Sequence, residues 1–228
     1  MRISLRFKLE GQIMKYALIA FTGAVLAACS PPAQNTPPPT AAAVTTDAPA
    51  GAYRLDPAHS TLTFQVNHIG FSNYTASFAR FSADLTLDPA HPERAQIGAT
   101  IDPRSLTLPS PPAGFLETML GAAWFDAAQY PTITFQSTAV ERTGPNTARV
   151  TGDFTLHGVT RPVVLDVTFN GGYAGHQLEP QARIGFSAHG SFNRSDFGMG
   201  LGVPPEGSTM GVSDAVEVII ETELSGPA

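Results

Sequence analysis

The stretch Thr61-Leu62-Thr63-Phe64-Gln65-Val66-Asn67-His68 alternates without interruption. Leu62, Phe64, Val66 and His68 fall on one face, and Thr61, Thr63, Gln65 and Asn67 fall on the other. A period of two is that of a half-buried strand, with one face on a core and one on water. The period recurs down the chain in Ala79, Phe81, Ala83, Leu85 and Leu87, then in Ala95, Ile97, Ala99 and Ile101, then in Ile133 and Phe135. It continues in Val150, Gly152, Phe154 and Leu156, in Val163, Leu165, Val167 and Phe169, in Ile184, Phe186 and Ala188, and in Val216 to Leu224. Asp88-Pro89, Gly144-Pro145-Asn146, His157-Gly158 and Asn170-Gly171-Gly172 supply turn chemistry between the runs. The pattern predicts eight antiparallel strands and an all-β fold.

One segment breaks the period. Phe115, Leu116, Met119, Leu120, Ala123 and Trp124 recur at three- and four-residue spacings behind Ser110-Pro111-Pro112, which predicts one short helix within 112–125, irregular near Gly121. Eight antiparallel strands either close into a barrel or pack as two sheets. Closure removes both edges, and an eight-stranded barrel is filled by side chains or holds one small ligand. The small residues Ala79, Ala83, Ala95, Ala99, Gly152 and Ala188 on the inward face favour space inside, although they serve tight packing equally well.

The amino-terminal region reads differently. Met14-Lys15-Tyr16 leads into an apolar run, Ala17 to Ala28, that ends in Leu26-Ala27-Ala28-Cys29. A charged start, a short apolar run and small residues before a cut site make a secretory signal, here residues 1–28. Met14 is an alternative start, since residues 1–13 precede an already complete signal. The run is too short to span a bilayer as a helix. Cys29 is the single cysteine, and the Leu-Ala-Ala-Cys ending resembles the lipobox of bacterial lipoproteins, in which that cysteine is acylated. Several acyl chains, at about 0.8 kcal/mol per buried methylene, make a durable anchor. Ser30 in place of an aspartate resembles an outer-membrane address, so the expected location is the periplasm, on the inner leaflet of the outer membrane. Residues 29–50, rich in proline and alanine, read as the lipidated cysteine and a semi-rigid tether, and 51–228 as one barrel domain.

Four of the 13 basic groups and one of the 19 acidic groups lie in residues 1–28, leaving 9 and 18 in the mature chain. All nine of those basic residues are arginines. The balance excludes a basic footprint for nucleic acid and a polybasic patch for anionic lipid. With no mature lysine and no second cysteine, Schiff-base chemistry and disulfides are excluded too. Catalytic signals are weak. Gly185-Phe186-Ser187-Ala188-His189 lacks the second glycine of a nucleophile elbow and lies in a strand pattern. The six histidines have no metal-ligand spacing, and no glycine loop precedes a helix to cradle phosphate, so neither metal nor cofactor is expected. His68 continues an apolar face and reads either as a core histidine bonded to a carbonyl or as a polar group in a ligand cavity. Arg161, Arg194 and Asp196 sit in turns, where an ion pair between Arg194 and Asp196 is the ordinary reading.

Four ordered motifs carry a resemblance. Tyr53-x-Leu55-Asp56-Pro57-x-His59-Ser60 with Phe64-x-Val66-x-His68, Trp124-Phe125-Asp126 with Tyr130-Pro131-x-Ile133-x-Phe135, Gly152 to Val163, and Asn193-Arg194-Ser195-Asp196-Phe197-Gly198-Met199 are similar to those of the YceI-like polyisoprenoid-binding family. The similarity spans about residues 52–224. It implies a lipocalin-like antiparallel barrel with an apolar cavity for an isoprenoid or other long-chain lipid, and a carrier or storage protein rather than an enzyme. The residues expected at the ligand are Phe64, Val66, His68, Phe81, Trp124, Phe135, Phe154, Arg161, Phe169, Phe186, Asn193, Arg194 and Asp196. An enzyme acting on a lipid and a structural barrel with a filled core are the alternatives, and a homodimer is left open.

Overall fold

A computed structural model describes residues 43–228; the signal segment, Cys29 and the first part of the tether lie outside the described residues. The strands are β1 (Gly51–Leu55), β2 (Thr61–His68), β3 (Ser72–Phe78), β4 (Phe81–Leu87), β5 (Gln96–Ile101), β6 (Leu106–Thr107), β7 (Ile133–Arg142), β8 (Thr147–Leu156), β9 (Val159–Tyr173), β10 (Arg183–Asn193) and β11 (Val212–Ser225). All pairings are antiparallel.

Eleven segments make a closed barrel of eight strands, because three strands are each broken in two. β1 and β2 both run along β11, β1 at Leu224 and Ser225 and β2 from Glu221 to Val212. β4 pairs with β1 and β3 with β2, so β3 and β4 are halves of the second strand. β5 pairs with β4 and β6 with β3, which makes the third. β7 to β11 complete an up-and-down meander, and β11 closes on the first strand.

The breaks share local chemistry. Asp56 and Asp102 each accept a hydrogen bond from the backbone N–H two residues on, each followed by proline and one 3₁₀ turn, Pro57–His59 and Pro103–Ser105. An aspartate cap with proline next pre-sets that turn. The second strand kinks beside the third break, where Ser105 Oγ accepts from Arg80 N at 2.9 Å and Arg80 pairs with Asp102 at 2.7 Å. The kink shifts the alternation by one residue. Ala76 and Phe78 face in before it and Phe81 and Ala83 after it, so Ala79, expected inside, is exposed.

Two further expectations are corrected. The helix α1 is only Phe115–Leu120: Gly114 starts it with φ 77°, not Ser110, and Gly121 ends it. Trp124 lies in the turn that follows. Asn170-Gly171-Gly172 is no turn but a bulge inside β9, where Gly185 faces Gly171 and the next residue, Phe186, faces Phe169. His157-Gly158 does turn, with φ 52° and 75°, the left-handed pair a two-residue hairpin needs.

The barrel has two distinct ends. At the helix end lie residues 69–71, α1, the His157-Gly158 turn and the 194–211 connection. At the strap end, residues 44–49 cross the barrel. Val44 N donates to Asn146 Oδ1 at 2.7 Å, Thr46 Oγ1 to Gly172 O at 3.0 Å, and the fully buried Tyr53 hydroxyl to Pro49 O at 2.5 Å. The buried core is likewise split. One cluster, with Leu62, Phe78, Phe125, Leu156 and Phe197, packs at the helix end; the other, with Ala48, Tyr53, Leu87, Ile184 and Leu224, packs at the strap end.

Candidate functional site

Between and along those clusters runs a cavity of about 760 Å³. That is within the range of sites that enclose a small organic ligand. Every strand of the barrel lines it, through its inward alternation: Phe64 and Val66 from the first, Phe81 and Ala83 from the second, Ile97 and Ala99 from the third, and Phe135, Phe154, Phe169, Phe186 and Val218 from the rest. Space persists in the middle because Ala83 pairs with Ala99, and Ala99 with Phe135. Two methyl-sized side chains stand in register where larger ones would meet. Phe135 itself lies over Gly152, where a Cβ would stand 2.3 Å from the ring. Phe154, Phe192 and Phe197 form a triangle of rings with centroids 5.1–5.4 Å apart, the offset and edge contacts that aromatic quadrupoles favour.

Along the wall the polar side chains are Thr63 and Thr222, whose hydroxyls donate to the carbonyls of Ile219 and Phe186; the other polar lining is at the ends. At the helix end are His68, Tyr74, Trp124 and Arg194; at the strap end are Thr46, Arg142, Asn146 and Thr147. His68 borders the cavity and is exposed, which places it at a mouth and not in a core. Its ring makes no hydrogen bond among the described residues. Arg194 is 4% exposed. Its Nε donates to Ser213 O, Nη1 to Met199 O and Leu201 O, and Nη2 to Val212 O, the last two at 2.9 Å, and its guanidinium lies 5.4 Å from the Trp124 ring centroid. Burial pushes its pKa down and Asp214 opposes that; an arginine stays charged regardless. Four backbone carbonyls, not a carboxylate, therefore satisfy the charge.

Of the thirteen residues expected at the ligand, Phe64, Val66, His68, Phe81, Trp124, Phe135, Phe154, Phe169, Phe186 and Arg194 line the cavity. Arg161, Asn193 and Asp196 do not: all three are exposed and outside the lining. Arg161 stands opposite Phe154 on the same face of the hairpin, but it lies where that face has run past the barrel and meets water. Asp196 makes no ion pair with Arg194, whose donors point under the 199–213 loop; the carboxylate in that turn is Asp214, which accepts from Ser195 N and Oγ. The sequence did not disclose the strap, since Val44, Thr46 and Ala48 are a short and weakly apolar run, nor Tyr74 and Phe78, whose strand breaks its alternation at the kink after Phe78.

Outside the cavity, an ion-pair cluster forms around Arg183. Asp56, Glu179 and Glu223 surround Arg183 at the strap end, with Asp56 Oδ2 at 2.5 Å and Glu223 Oε2 at 3.4 Å. Arg183, then His59 and the Ala58 N–H, hold the Asp56 carboxyl far below its usual range; Asp56 in turn raises His59. Ser187 faces out and donates to Glu221 Oε2 at 2.5 Å, with no histidine against it. His157 packs on Tyr130 with centroids 4.8 Å apart, outside the cavity lining. Among the described residues no group of three or more His, Cys, Asp or Glu side chains is placed to hold a metal.

Known proteins share this architecture. The chain is 38% identical to a UPF0312 protein of Pseudomonas putida strain W619 over 152 residues, covering 66% of this chain and 77% of that one. It is 33% identical to a UPF0312 protein of Vibrio cholerae, covering 73% and 82%. The crystal structure of Burkholderia cenocepacia BcnA is similar with a TM-score of 0.61 at 27% identity, covering 74% of this chain and 98% of that one. A Saccharophagus degradans structure, described as a polyisoprenoid binding domain implicated in plant cell wall breakdown, shares the fold at a TM-score of 0.54 and 16% identity, covering 78% and 99%. Residues 53–224 match the YceI-like domain, from the buried Tyr53 of the first strand to the buried Leu224 of the last, and the chain belongs to the YceI-like family.

Proposed function

We propose that this chain binds one long-chain lipid, an isoprenoid or a close analogue, in the barrel, and serves as a carrier or store rather than an enzyme. The observation that carries this reading is the lining: an apolar, aromatic tunnel whose wall hydroxyls, Thr63 and Thr222, are spent on backbone carbonyls, with the charged and other polar groups at its ends. Such a site rewards a long hydrocarbon and offers nothing to a polar substrate until the mouths. The description of a structure of the same fold as a polyisoprenoid binding domain supports the ligand class. The lipobox-like Leu26-Ala27-Ala28-Cys29 supports secretion and anchoring to the envelope through Cys29, with the barrel in the periplasm.

Two measurements test the reading. Native mass spectrometry of gently purified protein should show one co-purified lipid of unaltered structure; a processed lipid would favour an enzyme, and an empty barrel a structural role. Affinity measured across a chain-length series should then rise by about 0.8 kcal/mol per added methylene until the tunnel is full. Strands of ten residues, tilted in a barrel, give roughly 25 Å of axis, so longer chains gain nothing further. Affinity that does not change with chain length refutes the proposal.

A further inference from the structure

The cavity has exposed lining residues at both ends, and the two ends differ. At the strap end the exposed lining is Arg142 and Thr147 with Val44 and Pro145. At the helix end the exposed residues beside the mouth are apolar: Phe71 is 86% exposed, Met210 75% and Leu201 55%. They sit on two loops that are bonded together. Ile69 N donates to Gly211 O at 2.9 Å from one loop to the other, a Cβ on Gly70 would stand 3.2 Å from Thr209, and within the second loop Val212 N donates to Gly202 O at 3.0 Å. Phe71, Met210 and Leu201 are each the immediate chain neighbour of one of those contact residues. The same loops frame the mouth: His68 and Val212 line the cavity, and the Leu201 carbonyl accepts from the buried Arg194.

We infer that this rim docks on a lipid bilayer, the three tips entering the interfacial region so that a lipid passes between bilayer and cavity without crossing water. The inference rests on the proposed lipid ligand. Three features choose a bilayer over a second protein. The tips are separate side chains at loop ends and together expose on the order of 400 Å², about half of the roughly 800 Å² per partner that a stable dimer buries. Residues 69–71 and 200–211 carry a single charge, Glu206, so nothing there pairs with a charged partner surface, and entry into an apolar layer costs no desolvated arginine or lysine. Finally, the apolar tips stand on the same loops that carry the mouth residues His68 and Val212. The remaining negative charge of the barrel points to zwitterionic membranes. Geometry permits the orientation: the 14 Cα–Cα steps from Cys29 to Ala43 have a contour of up to about 50 Å, longer than the barrel's roughly 25 Å axis, so an anchored chain can turn either end to the membrane.

The single cysteine makes the test direct. In the full chain carrying Cys29→Ser, one new cysteine is introduced at a time, Phe71→Cys, Met210→Cys or, at the opposite end, Leu178→Cys, itself a 92% exposed residue. Each is labelled with an environment-sensitive fluorophore and mixed with phosphatidylcholine–phosphatidylethanolamine vesicles. Emission should shift blue and rise several-fold at 71 and 210, with quenching by spin-labelled lipid, and stay unchanged at 178. No response at 71 and 210, or an equal response at 178, overturns the inference. A blue shift that needs no vesicles and grows with protein concentration also overturns it, in favour of a second copy on the rim. Isoprenoid titration of the same samples without vesicles separates the two readings: lipid binding with no vesicle response refutes docking alone. The double substitution Phe71→Ser with Met210→Ser should leave melting and vesicle-free lipid binding intact while slowing lipid uptake from vesicles several-fold; unchanged uptake refutes the role.

Discussion

Arg194 is the residue whose removal should damage the fold most. It is buried, and its guanidinium donates to the carbonyls of Ser213, Met199, Leu201 and Val212, tying both ends of the 199–213 segment to the 3₁₀ turn Arg194–Phe197 that follows β10. Hydrogen bonds to a charged group contribute about 1.5–3 kcal/mol each, but four bonds to one group are not additive, and part of the loop can take up water when the side chain is lost. Breaking a buried charged network costs about 3–5 kcal/mol, which we adopt for Arg194→Ala. For a domain of this size each kcal/mol moves Tm by about 2–4 °C, so the drop should be roughly 6–20 °C. Arg194→Lys should recover less than half, because an ammonium cannot reach carbonyls on both sides as a planar fork does. Asp196→Asn should cost under about 0.5 kcal/mol, as expected for an exposed group without a partner. The assay is thermal and urea unfolding followed by circular dichroism, without ligand. If Arg194→Ala unfolds within 1 kcal/mol of the parent, or if Arg194→Lys is indistinguishable from it, the reasoning about the carbonyl cluster is wrong.

Four more outcomes follow. Cys29→Ser should move the protein from the membrane fraction to the soluble periplasm; equal retention in membranes means Cys29 is no anchor. Ala99→Leu adds three carbons where Ala83, Ala99 and Phe135 stand in register, and should weaken the longest ligands by about 2 kcal/mol while sparing short ones; an even loss across chain lengths rules out a through-going tunnel. His68→Ala should weaken ligand binding by about 1–3 kcal/mol with little change in melting, since the ring sits exposed at the mouth; the opposite pattern makes it structural. The Asp56 carboxyl is held below its ordinary range by Arg183, His59 and the Ala58 N–H, so its contribution is complete above the unfolded pKa of about 3.9 and is lost as pH falls through the folded value. The stability gap between parent and Arg183→Gln, read by urea unfolding, should be widest near neutral pH and narrow below about pH 4; a gap that is constant into acid contradicts the assignment.

The eight-strand count was legible because inward residues recur every second position wherever a strand is unbroken, as from Val163 to Phe169. It was legible for the wrong reason in part. The first three strands are each two segments, and the sequence shows an alternating run for only one of them: 62–68, then 81–87, then 95–101. The missing halves are short. Gly51–Leu55 is five residues and Leu106–Thr107 two, too few for a period to stand out. Ser72–Phe78 fails for another reason. Its inward residues are Tyr74, Ala76 and Phe78, with Ala76 interrupting the apolar set, and the kink after Phe78 puts the next inward residue three positions on instead of two.

The same logic explains which site residues could be read. A side chain inside a barrel is fixed by strand parity, so the seven aromatic and aliphatic choices on strands, from Phe64 to Phe186, fall on the cavity wall, and Trp124 joins them from the turn after α1. Polar residues in turns obey no parity. Arg161, Asn193, Arg194 and Asp196 look alike in sequence, although Arg161 and Asn193 fall at strand ends, and only Arg194 turns inward, because the 199–213 segment folds back over it and offers it four carbonyls. The pairing that sequence proximity suggested, Arg194 with Asp196, yields to a long-range one that no local pattern encodes. What places the polar mouth is thus the return path of a loop, and the same loop carries Leu201 and Met210 to the surface. A single buried arginine fixes both the edge of the cavity and the apolar rim around it, so loosening that loop should disturb lipid uptake from a bilayer before it disturbs the tunnel itself.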